Sequence, residues 1–483
     1  MAELSAAELG HELESGELTS LELVRMTLER IEALDRNQTR SVIELNPDAI
    51  DIARRRDAER RRGRTRGPLH GLPVLVKDNI DTGDRMLTTA GSLAMTGAPA
   101  PRDAPLVARL RRSGAVLIGK TNLSEWANIR SKRSSSGWSG RGRQTRNPHV
   151  LDRTPSGSSS GSGVAAAAGF AALTVGTETD GSIISPSTAN GIVGIKPGVG
   201  VVSGQGIIPI SASQDSAGPM CRTVEDAAAL LSVIARRPLD YRRALKKDAL
   251  RGKRLGVLRK PFSGYSEHTD RCYDQALSAL KHCGAVLVDV EFPTVKELRE
   301  SNAEHTVLVY ELKAGLNAYL RGRRGLAVRT LADVIRWNEA HADQEMRYFR
   351  QEIFEEAQAT RGLKSKQYLA DRDKARRLAR QEGIDLVLRK HKLAALVAPS
   401  GQPAAVIDEV DGDRWLGGST QPSAVAGYPI ITVPAGSVFG LPVGLSLFAG
   451  AGSEGRLLGF AYAFEQATQA RVVPKFLPTL PLP

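Results

Sequence analysis

The sequence predicts an α/β fold, in which one large domain is built on a mixed, mostly parallel β-sheet that helices cover on both faces. Three observations support this prediction. Short apolar runs bounded by Gly, Pro, Asn and Asp recur from Gly71 onwards, as expected of strands buried on both faces. Segments with helical spacing separate these runs. Strand-like runs also lie on both sides of a long helical block, which indicates that the block is an insertion into one fold.

The N-terminal part of the chain, about residues 5–60, is predicted to consist of helices. Ser5 with Glu8, and Thr19 with Glu22, form two capping-box patterns, and apolar residues with roughly helical spacing follow the second. In such a box each side chain accepts a hydrogen bond from a backbone N–H group that the helix leaves unpaired. Two helix starts are therefore expected in this part.

The predicted core of the sheet covers about residues 68–235. Its strand-like runs read PVLVKD, AVLIGKTN, ALTVGTETD and GIVGIKP. Helices are expected between and after them, at 104–113 and 223–234. Alternation of strand and helix is typical of a sheet that helices cover.

Beyond this core, RLGVLRK and AVLVDVEF predict two strands around an amphipathic helix at 269–283. Residues 295–393 are rich in Glu, Arg, Leu and Ala and predict a mostly helical cover segment. The runs LAALVAPS, YPIITVPAG and VGLSLFAG, within about residues 394–470, return to the sheet. No linker or internal repeat divides the chain, so residues 1–483 are predicted to form one domain.

The charge is strongly positive, with a net value of +13, and eight arginines lie within 54–66. Aromatic residues are scarce, at 5%, and none lies within that basic run, so we interpret it as a solvated helix end and expect no nucleic-acid partner. The three cysteines show no metal-ligand spacing and are expected to be free thiols. No signal peptide or membrane-spanning segment is recognisable, which predicts a cytoplasmic location without membrane contact. The oligomeric state is not predicted.

Two serines and a lysine provide the parts for amide hydrolysis without a histidine. Ser182 follows a predicted strand and a turn, which suits a nucleophile that projects beyond the sheet edge. Lys77 ends an apolar strand, where burial would leave its amine neutral and able to act as a base. Ser158, in a Gly/Ser-rich loop, can relay the proton between them. The backbone N–H groups of 179–182 can stabilise the oxyanion.

Two other motifs allow different interpretations. Residues 157–161 match the GxSxG pattern of α/β-hydrolases, but no strand precedes them and the last histidine, His391, lies far from the C-terminus. Ser278 and Lys281 match the SxxK pattern of penicillin-binding enzymes, but they fall on an ordinary amphipathic helix without the accompanying motifs. Neither alternative is favoured.

The segments GLPVLVKDNID, TPSGSSSGSG and GTETDGSI, in this order, resemble the catalytic-lysine, serine-loop and nucleophile segments of the amidase signature family. The resemblance covers most of residues 5–470. It implies the amidase signature fold, with Lys77 as base, Ser158 as bridging serine and Ser182 as nucleophile, and no cofactor or metal. It also implies a cis peptide bond between Gly157 and Ser158.

Several positions indicate the peptide amidase branch of this family, which removes ammonia from C-terminal peptide amides. Ser156 and Ser160 replace loop glycines, and Asp180 stands where many members have a glycine. The sequence around Trp126 and Trp138 is also more similar to this branch. The backbone of Thr179 and Gly181 is expected to bind the oxyanion or the substrate. The side chain of Asp180 is expected to contact the substrate or to brace the oxyanion turn. Ser159 is expected to hold the lysine amine.

The most favoured function is therefore hydrolysis of C-terminal amides of peptides, or of related carboxamides, through an acyl-enzyme. Two alternatives stay open: the glutaminase subunit of a tRNA-dependent amidotransferase, and a specialised amide hydrolase or acyl transferase of a biosynthetic pathway. The acyl group is not readable from the sequence. Its pocket is expected to use residues near 126–145, 305–345 and 415–425, among them Tyr310, Trp337 and Trp415.

Overall fold

A computed structural model describes residues 2–481 of the chain and, within them, a single sheet of eleven strands. The strands are β1 (Val42–Leu45), β2 (Pro73–Lys77), β3 (Val116–Thr121), β4 (Leu173–Glu178), β5 (Val193–Lys196), β6 (Ser216–Cys221), β7 (Arg254–Leu258), β8 (Val286–Val290), β9 (Ala395–Pro399), β10 (Ile430–Val438) and β11 (Leu441–Phe448). Their order across the sheet is β1-β3-β2-β4-β6-β5-β10-β11-β9-β7-β8. Strands from both sides of the helical block therefore share one sheet, as predicted.

The sheet is mixed, as expected, but its neighbouring strands are not mostly parallel. The parallel pairs are β2–β3, β2–β4, β7–β8 and β7–β9. The other neighbours among the described residues, from β4 through β6, β5, β10 and β11 to β9, and β1 with β3, are antiparallel. The expectation of mostly parallel strands was wrong because continuous apolar runs indicate burial on both faces, and burial alone does not fix strand direction.

Helices cover both faces of the sheet. Within residues 2–481 they are α1 (Ala6–Ser15), α2 (Ser20–Arg30), α3 (Ala49–Arg61), α4 (Pro105–Arg112), α5 (Ser160–Ala167), α6 (Ile184–Ala189), α7 (Val224–Ile234), α8 (Glu267–His282), α9 (Val295–Glu300), α10 (Ala303–Arg321), α11 (Leu331–Ala340), α12 (Ala342–Glu345), α13 (Glu352–Gln358), α14 (Lys366–Ala379), α15 (Asp385–Lys390), α16 (Gln421–Ala426) and α17 (Glu454–Thr468). Two π-helical segments, Ile31–Thr39 and Arg380–Ile384, extend α2 and join α14 to α15.

Alternate residues of a strand show that both faces are buried. Val74 and Val76 of β2 belong to one apolar core, whereas Leu75 between them belongs to another on the opposite face. The first core is completed by helices such as α4, α7 and α17, and the second by α2, α3 and α5. A strand enclosed in this way holds the residue at its end in a fixed position.

Both predicted capping boxes are present. The Ser5 hydroxyl accepts from the backbone N–H of Glu8 at 3.1 Å, and the Glu8 carboxylate accepts from that of Ser5 at 2.7 Å. Thr19 and Glu22 make the equivalent pair at 3.1 and 2.9 Å. Each box fixes the first turn of a helix that packs on the sheet.

Two strands were not predicted. β1 lies within the part expected to be helical and pairs with β3 at the edge of the sheet. Its side chains are half-buried or exposed, so the strand lacks the apolar pattern of the others. β6 contains Gly218 and Pro219 yet lies in the middle of the sheet, between β4 and β5. A proline there argues against a strand from sequence, and the tertiary context overrides that preference.

The cover segment carries a small apolar core of its own, to which Tyr310 contributes and against which Trp337 packs. Arginines of the basic run are partly engaged within the protein: Arg56 pairs with Glu59, and Arg60 donates to the carbonyl of His70. The three cysteines are unpaired. Within residues 2–481, none of the helices combines the length and the apolar composition that a membrane-spanning segment requires.

Candidate active site

The candidate site lies where two neighbouring parallel strands end. Lys77 is the last residue of β2, and Glu178 is the last residue of β4. The turn 179–182 follows β4, and Ser158 lies just before α5. Because parallel neighbours end at the same edge, the sheet brings the lysine and the nucleophile turn together from positions far apart in the chain.

Lys77 is fully buried, with 0% of its surface exposed. Its amine lies 2.8 Å from Ser158 Oγ and 3.0 Å from Ser159 Oγ. Thr177 supplies two more contacts, through Oγ1 at 3.0 Å and its carbonyl oxygen at 3.3 Å. Asn79 donates to the same Thr177 hydroxyl at 3.0 Å. The amine is therefore held by hydroxyl and carbonyl groups, and none of these contacts is to a carboxylate.

Burial lowers the pKa of Lys77 from 10.5 to about 7, because removing the amine from water penalises its charged form. The carboxylates of Asp215 and Glu178 act in the opposite direction, since negative charges favour the ammonium. A lysine with this pKa is substantially neutral at pH 7–8 and can accept a proton.

The two hydroxyls next to Lys77 differ in freedom. Ser159 donates to the Thr177 carbonyl at 2.9 Å and accepts from the Thr177 N–H at 3.1 Å. Its hydroxyl proton is therefore already in a hydrogen bond. The Ser158 hydroxyl oxygen accepts a hydrogen bond from the Lys77 amine, which leaves the hydroxyl proton free for another partner. The peptide bond between Gly157 and Ser158 is cis, as the family resemblance implies.

Ser182 and Ser158 line the same cavity. The backbone joins their segments, since the Ser159 N–H donates to the Ser182 carbonyl at 3.1 Å. Within residues 2–481 no hydrogen bond connects the Ser158 and Ser182 hydroxyls themselves. Catalytic hydrogen bonds commonly shorten only when substrate is bound, so this arrangement is compatible with a relay.

The turn after β4 presents backbone N–H groups beside Ser182. Those of Thr179, Asp180 and Ser182 have no protein acceptor in the described part of the chain, and Gly181 adopts a left-handed conformation with φ 77°. The next two N–H groups, of residues 183 and 184, instead donate to the Glu178 carboxylate at 2.7 and 2.9 Å. The Gly181 N–H contributes to lowering the pKa of the Glu178 carboxyl. All four N–H groups of residues 179–182 stay candidate oxyanion donors.

The Asp180 side chain lies at the solvent-exposed end of this turn. Surrounding protein raises its pKa well above the usual value, and the Glu304 carboxylate adds to this, whereas a hydrogen bond with Thr420 opposes it. Gln214 and Gln421 donate to Glu304 at 2.9 and 2.8 Å. The residue as a whole is exposed, whereas neighbouring protein groups crowd its carboxyl.

The cavity at Ser158 and Ser182 has a volume of about 300 Å³. Its wall comes mainly from the segment 199–216, with Ile207, Ile208 and Ile210 among its apolar residues. One of the three segments expected to form the pocket, 126–145, contributes Ala127 to this wall, but 199–216 supplies most of it. Tyr310 and Trp337 belong to the interior of the cover segment, and Trp415 lines a neighbouring cavity that reaches Gly157 and Ser185. These aromatic residues were expected to line the pocket, but the segment 199–216, which leads into β6, lines the cavity instead.

Sequence reasoning missed several residues that contact the site. Thr177 and Glu178 lie inside the nucleophile segment, but their roles depend on which face of β4 they occupy. Asp215 lies in GIIPISASQDSAGP, where nothing local distinguishes a structural carboxylate from a functional one. Its contacts with the nucleophile turn appear only in three dimensions.

The chain is similar to known amidases in sequence and in fold. The family model described as Amidase matches residues 22–458. The chain is 42% identical to a probable amidase from Arabidopsis thaliana, over 95% of this chain and 89% of the plant protein. The crystal structure of native peptide amidase from Stenotrophomonas maltophilia superposes with a TM-score of 0.94 and 50% identity, covering 98% of this chain and 99% of that one. A glutamyl-tRNA(Gln) amidotransferase subunit from Symbiobacterium thermophilum is 34% identical over 96% and 97% of the two chains.

The fold and these similarities define an enzyme that hydrolyses carbon–nitrogen amide bonds. The chain belongs to the amidase family, known by its amidase signature, as its sequence motifs indicated. The resemblance to the peptide amidases is likewise confirmed by the structural match.

Proposed function

We propose that this amidase hydrolyses C-terminal amides of peptides, or related carboxamides, through a relay of Lys77, Ser158 and Ser182. One observation carries the proposal. A fully buried lysine with a pKa of about 7 lies 2.8 Å from Ser158, which shares a cavity with Ser182. These are the parts that a histidine-free serine hydrolase requires: a nucleophile, a base and a group that connects them.

In the acylation step, neutral Lys77 accepts the Ser158 hydroxyl proton while Ser158 accepts that of Ser182. Ser182 Oγ then forms a bond to the amide carbon, and the carbonyl π electrons move to oxygen. The backbone N–H groups of residues 179–182 stabilise this oxyanion. When the intermediate collapses, the carbon–nitrogen bond breaks, and the proton returns through Ser158 to the leaving nitrogen. Ammonia departs and an ester remains on Ser182.

Deacylation uses the same groups in reverse roles. Water gives a proton through Ser158 to Lys77 as its oxygen bonds to the ester carbon. The carbon–oxygen bond to Ser182 then breaks, and the relay returns the proton to the serine. The products are the carboxylic acid and free enzyme. An amine in place of water would give acyl transfer, which is the chemistry of the specialised alternative.

The substrate class is supported by the 50% identity to peptide amidase over almost the whole of both chains. The apolar wall of segment 199–216 suits an uncharged acyl portion. Asp180, which the nucleophile segment carries in place of a glycine, is exposed two residues before Ser182 and is our candidate for contact with a part of the substrate that extends beyond the cavity.

The glutaminase subunit of a tRNA-dependent amidotransferase is the second candidate, because this chain is also 34% identical to the glutamyl-tRNA(Gln) amidotransferase subunit. The two functions differ in what they require. Such a subunit needs partner proteins and releases ammonia from glutamine, whereas a peptide amidase acts alone.

Ammonia release from the purified protein alone tests the substrate proposal. We expect turnover of C-terminally amidated di- and tripeptides, and at least about tenfold lower kcat/KM for glutamine, because only the peptide amides extend along the cleft. The matching peptide acids serve as controls, since they lack the leaving ammonia. Activity confined to glutamine, or dependent on added partner proteins, would instead support the amidotransferase function.

The pH dependence tests the role assigned to the lysine. Below a pKa of about 7 the Lys77 amine is protonated and cannot accept a proton, so kcat/KM should fall on the acid side. We expect a midpoint near pH 7 and roughly hundredfold lower kcat/KM at pH 5 than on the plateau, because the neutral fraction falls tenfold per pH unit. Steady-state rates at pH 5–9 provide the measurement. A flat profile over this range, from protein that stays folded, would contradict Lys77 as the base.

A further inference from the structure

Asp215 links the nucleophile turn to the loop that forms the cavity wall. One carboxylate oxygen accepts from the Thr179 hydroxyl at 2.6 Å. The other accepts from the backbone N–H groups of Ile210 and Ser211, both at 2.9 Å. A single side chain thus fixes both an oxyanion-turn residue and the wall opposite it. Three hydrogen bonds to one carboxylate leave it little freedom to move.

The same carboxylate acts on the buried lysine. Asp215 and Glu178 are the charged groups that act on Lys77, and both favour its ammonium form against burial. The positive charge of Lys196 also acts on Glu178 and lowers the pKa of its carboxyl. Asp78, although adjacent to Lys77 in sequence, is directed instead toward Thr89 and Arg141.

Asp215 is ionised when the enzyme works near neutral pH. Burial raises its pKa to about 6, and the Glu311 carboxylate acts in the same direction, while the three hydrogen bonds oppose them. Above pH 6 the group therefore carries the negative charge that faces Lys77.

We propose that Asp215 is a positioning residue, which holds the Thr179 end of the oxyanion turn against the cavity wall and places its negative charge beside the site. This inference rests on the proposed relay of Lys77, Ser158 and Ser182. It adds that the turn and the base are coupled through one carboxylate, so that a single substitution changes both the maximal rate and its pH dependence.

Glu311 of α10 offers a matched control. Its carboxylate accepts from the Ser211 hydroxyl at 2.6 Å and from the Ser213 N–H at 2.9 Å, so it holds the same loop from the other side. It touches neither Thr179 nor Lys77. Glu311→Gln therefore perturbs the loop but removes neither of the charges that act on Lys77, and it lowers the pKa of Asp215, which stays ionised.

The experiment compares the pH profiles of wild type, Asp215→Asn and Glu311→Gln, each checked by thermal unfolding. For Asp215→Asn we expect the acid midpoint of kcat/KM to move down by about one pH unit, because loss of a negative charge lowers the pKa of Lys77. The plateau of kcat should fall by about tenfold or more, because Thr179 is released from its position. Glu311→Gln should keep the wild-type midpoint.

A second readout does not depend on the natural substrate. The rate at which a sulfonyl fluoride labels Ser182, followed by mass spectrometry, should show the same shift for Asp215→Asn. An unchanged midpoint in both assays, or equal shifts in the two variants, would overturn the role of Asp215. Absence of peptide-amide turnover in the wild type, with pH-dependent labelling retained, would count against the proposed substrate and leave the role of Asp215 supported by its shifted labelling midpoint.

Discussion

Replacing Ser182 with alanine is expected to reduce peptide-amide hydrolysis by about 10⁵-fold while the protein stays folded. The reason is that the other hydroxyl of this turn, that of Thr179, is held by Asp215, and removal of a nucleophile from a concerted relay removes the function of the whole relay. Single-turnover ammonia release gives the rate, and intact mass after exposure to substrate shows whether an acyl-enzyme forms.

Ser187→Ala is the matched control for this variant. Ser187 lies in α6, five residues after the nucleophile, and its buried hydroxyl has no hydrogen-bond partner in the described structure. Its removal should leave turnover within about twofold of wild type, because no bond is broken. Substantial residual hydrolysis by Ser182→Ala, above that of a mock preparation, would show that another group is the nucleophile.

Replacing Lys77 with methionine is expected to lower kcat by about 10⁴-fold, because the change removes the base while nearly filling its volume. The four contacts of the amine are lost, and Ser158 is left with no acceptor for its proton. The residual rate should no longer show a midpoint near pH 7. Stopped assays across the pH range measure both effects.

Lys120→Met separates this effect from the general cost of removing a buried lysine. Lys120 is also fully buried, but its amine donates to the Ile80 carbonyl at 2.7 Å and to the Thr88 hydroxyl at 3.0 Å. This variant should unfold at a lower temperature yet keep kcat per folded molecule within about tenfold, because the relay is intact. Comparable kcat losses in the two variants would indicate that Lys77 acts structurally.

Most of the sheet could be predicted from sequence because buried strands carry continuous apolar runs. β2 and β4 fall within the predicted runs, and both capping boxes formed as their residues indicated. β6 could not be predicted, since it depends on neighbours on both sides that tolerate Pro219. Strand direction was also beyond the sequence, because burial does not distinguish parallel from antiparallel neighbours.

The parts of the candidate site that could be predicted are those with an unusual local sequence. A lysine at the end of an apolar strand is unusual enough to be noticed, and the structure places Lys77 beside Ser158 and Ser159. The cavity wall was not predictable, because the loop before β6 has an ordinary composition and reaches the site through the path of the chain. Asp215 was missed for the same reason, since its contacts join segments that are separate in sequence.

The proposed relay and most of the cavity wall come from different segments of the sequence, and this affects how members of the family can diverge. The reacting groups lie between Lys77 and Ser182, whereas the wall is built largely by the later segment 199–216. Mutations of the apolar residues in that segment, such as Ile207 and Ile208, can alter which acyl groups are admitted while Asp215 and the proton path stay intact. Substitutions in a single loop can therefore change the preferred substrate during evolution. This is consistent with the similarity of one fold to both a peptide amidase and an amidotransferase subunit.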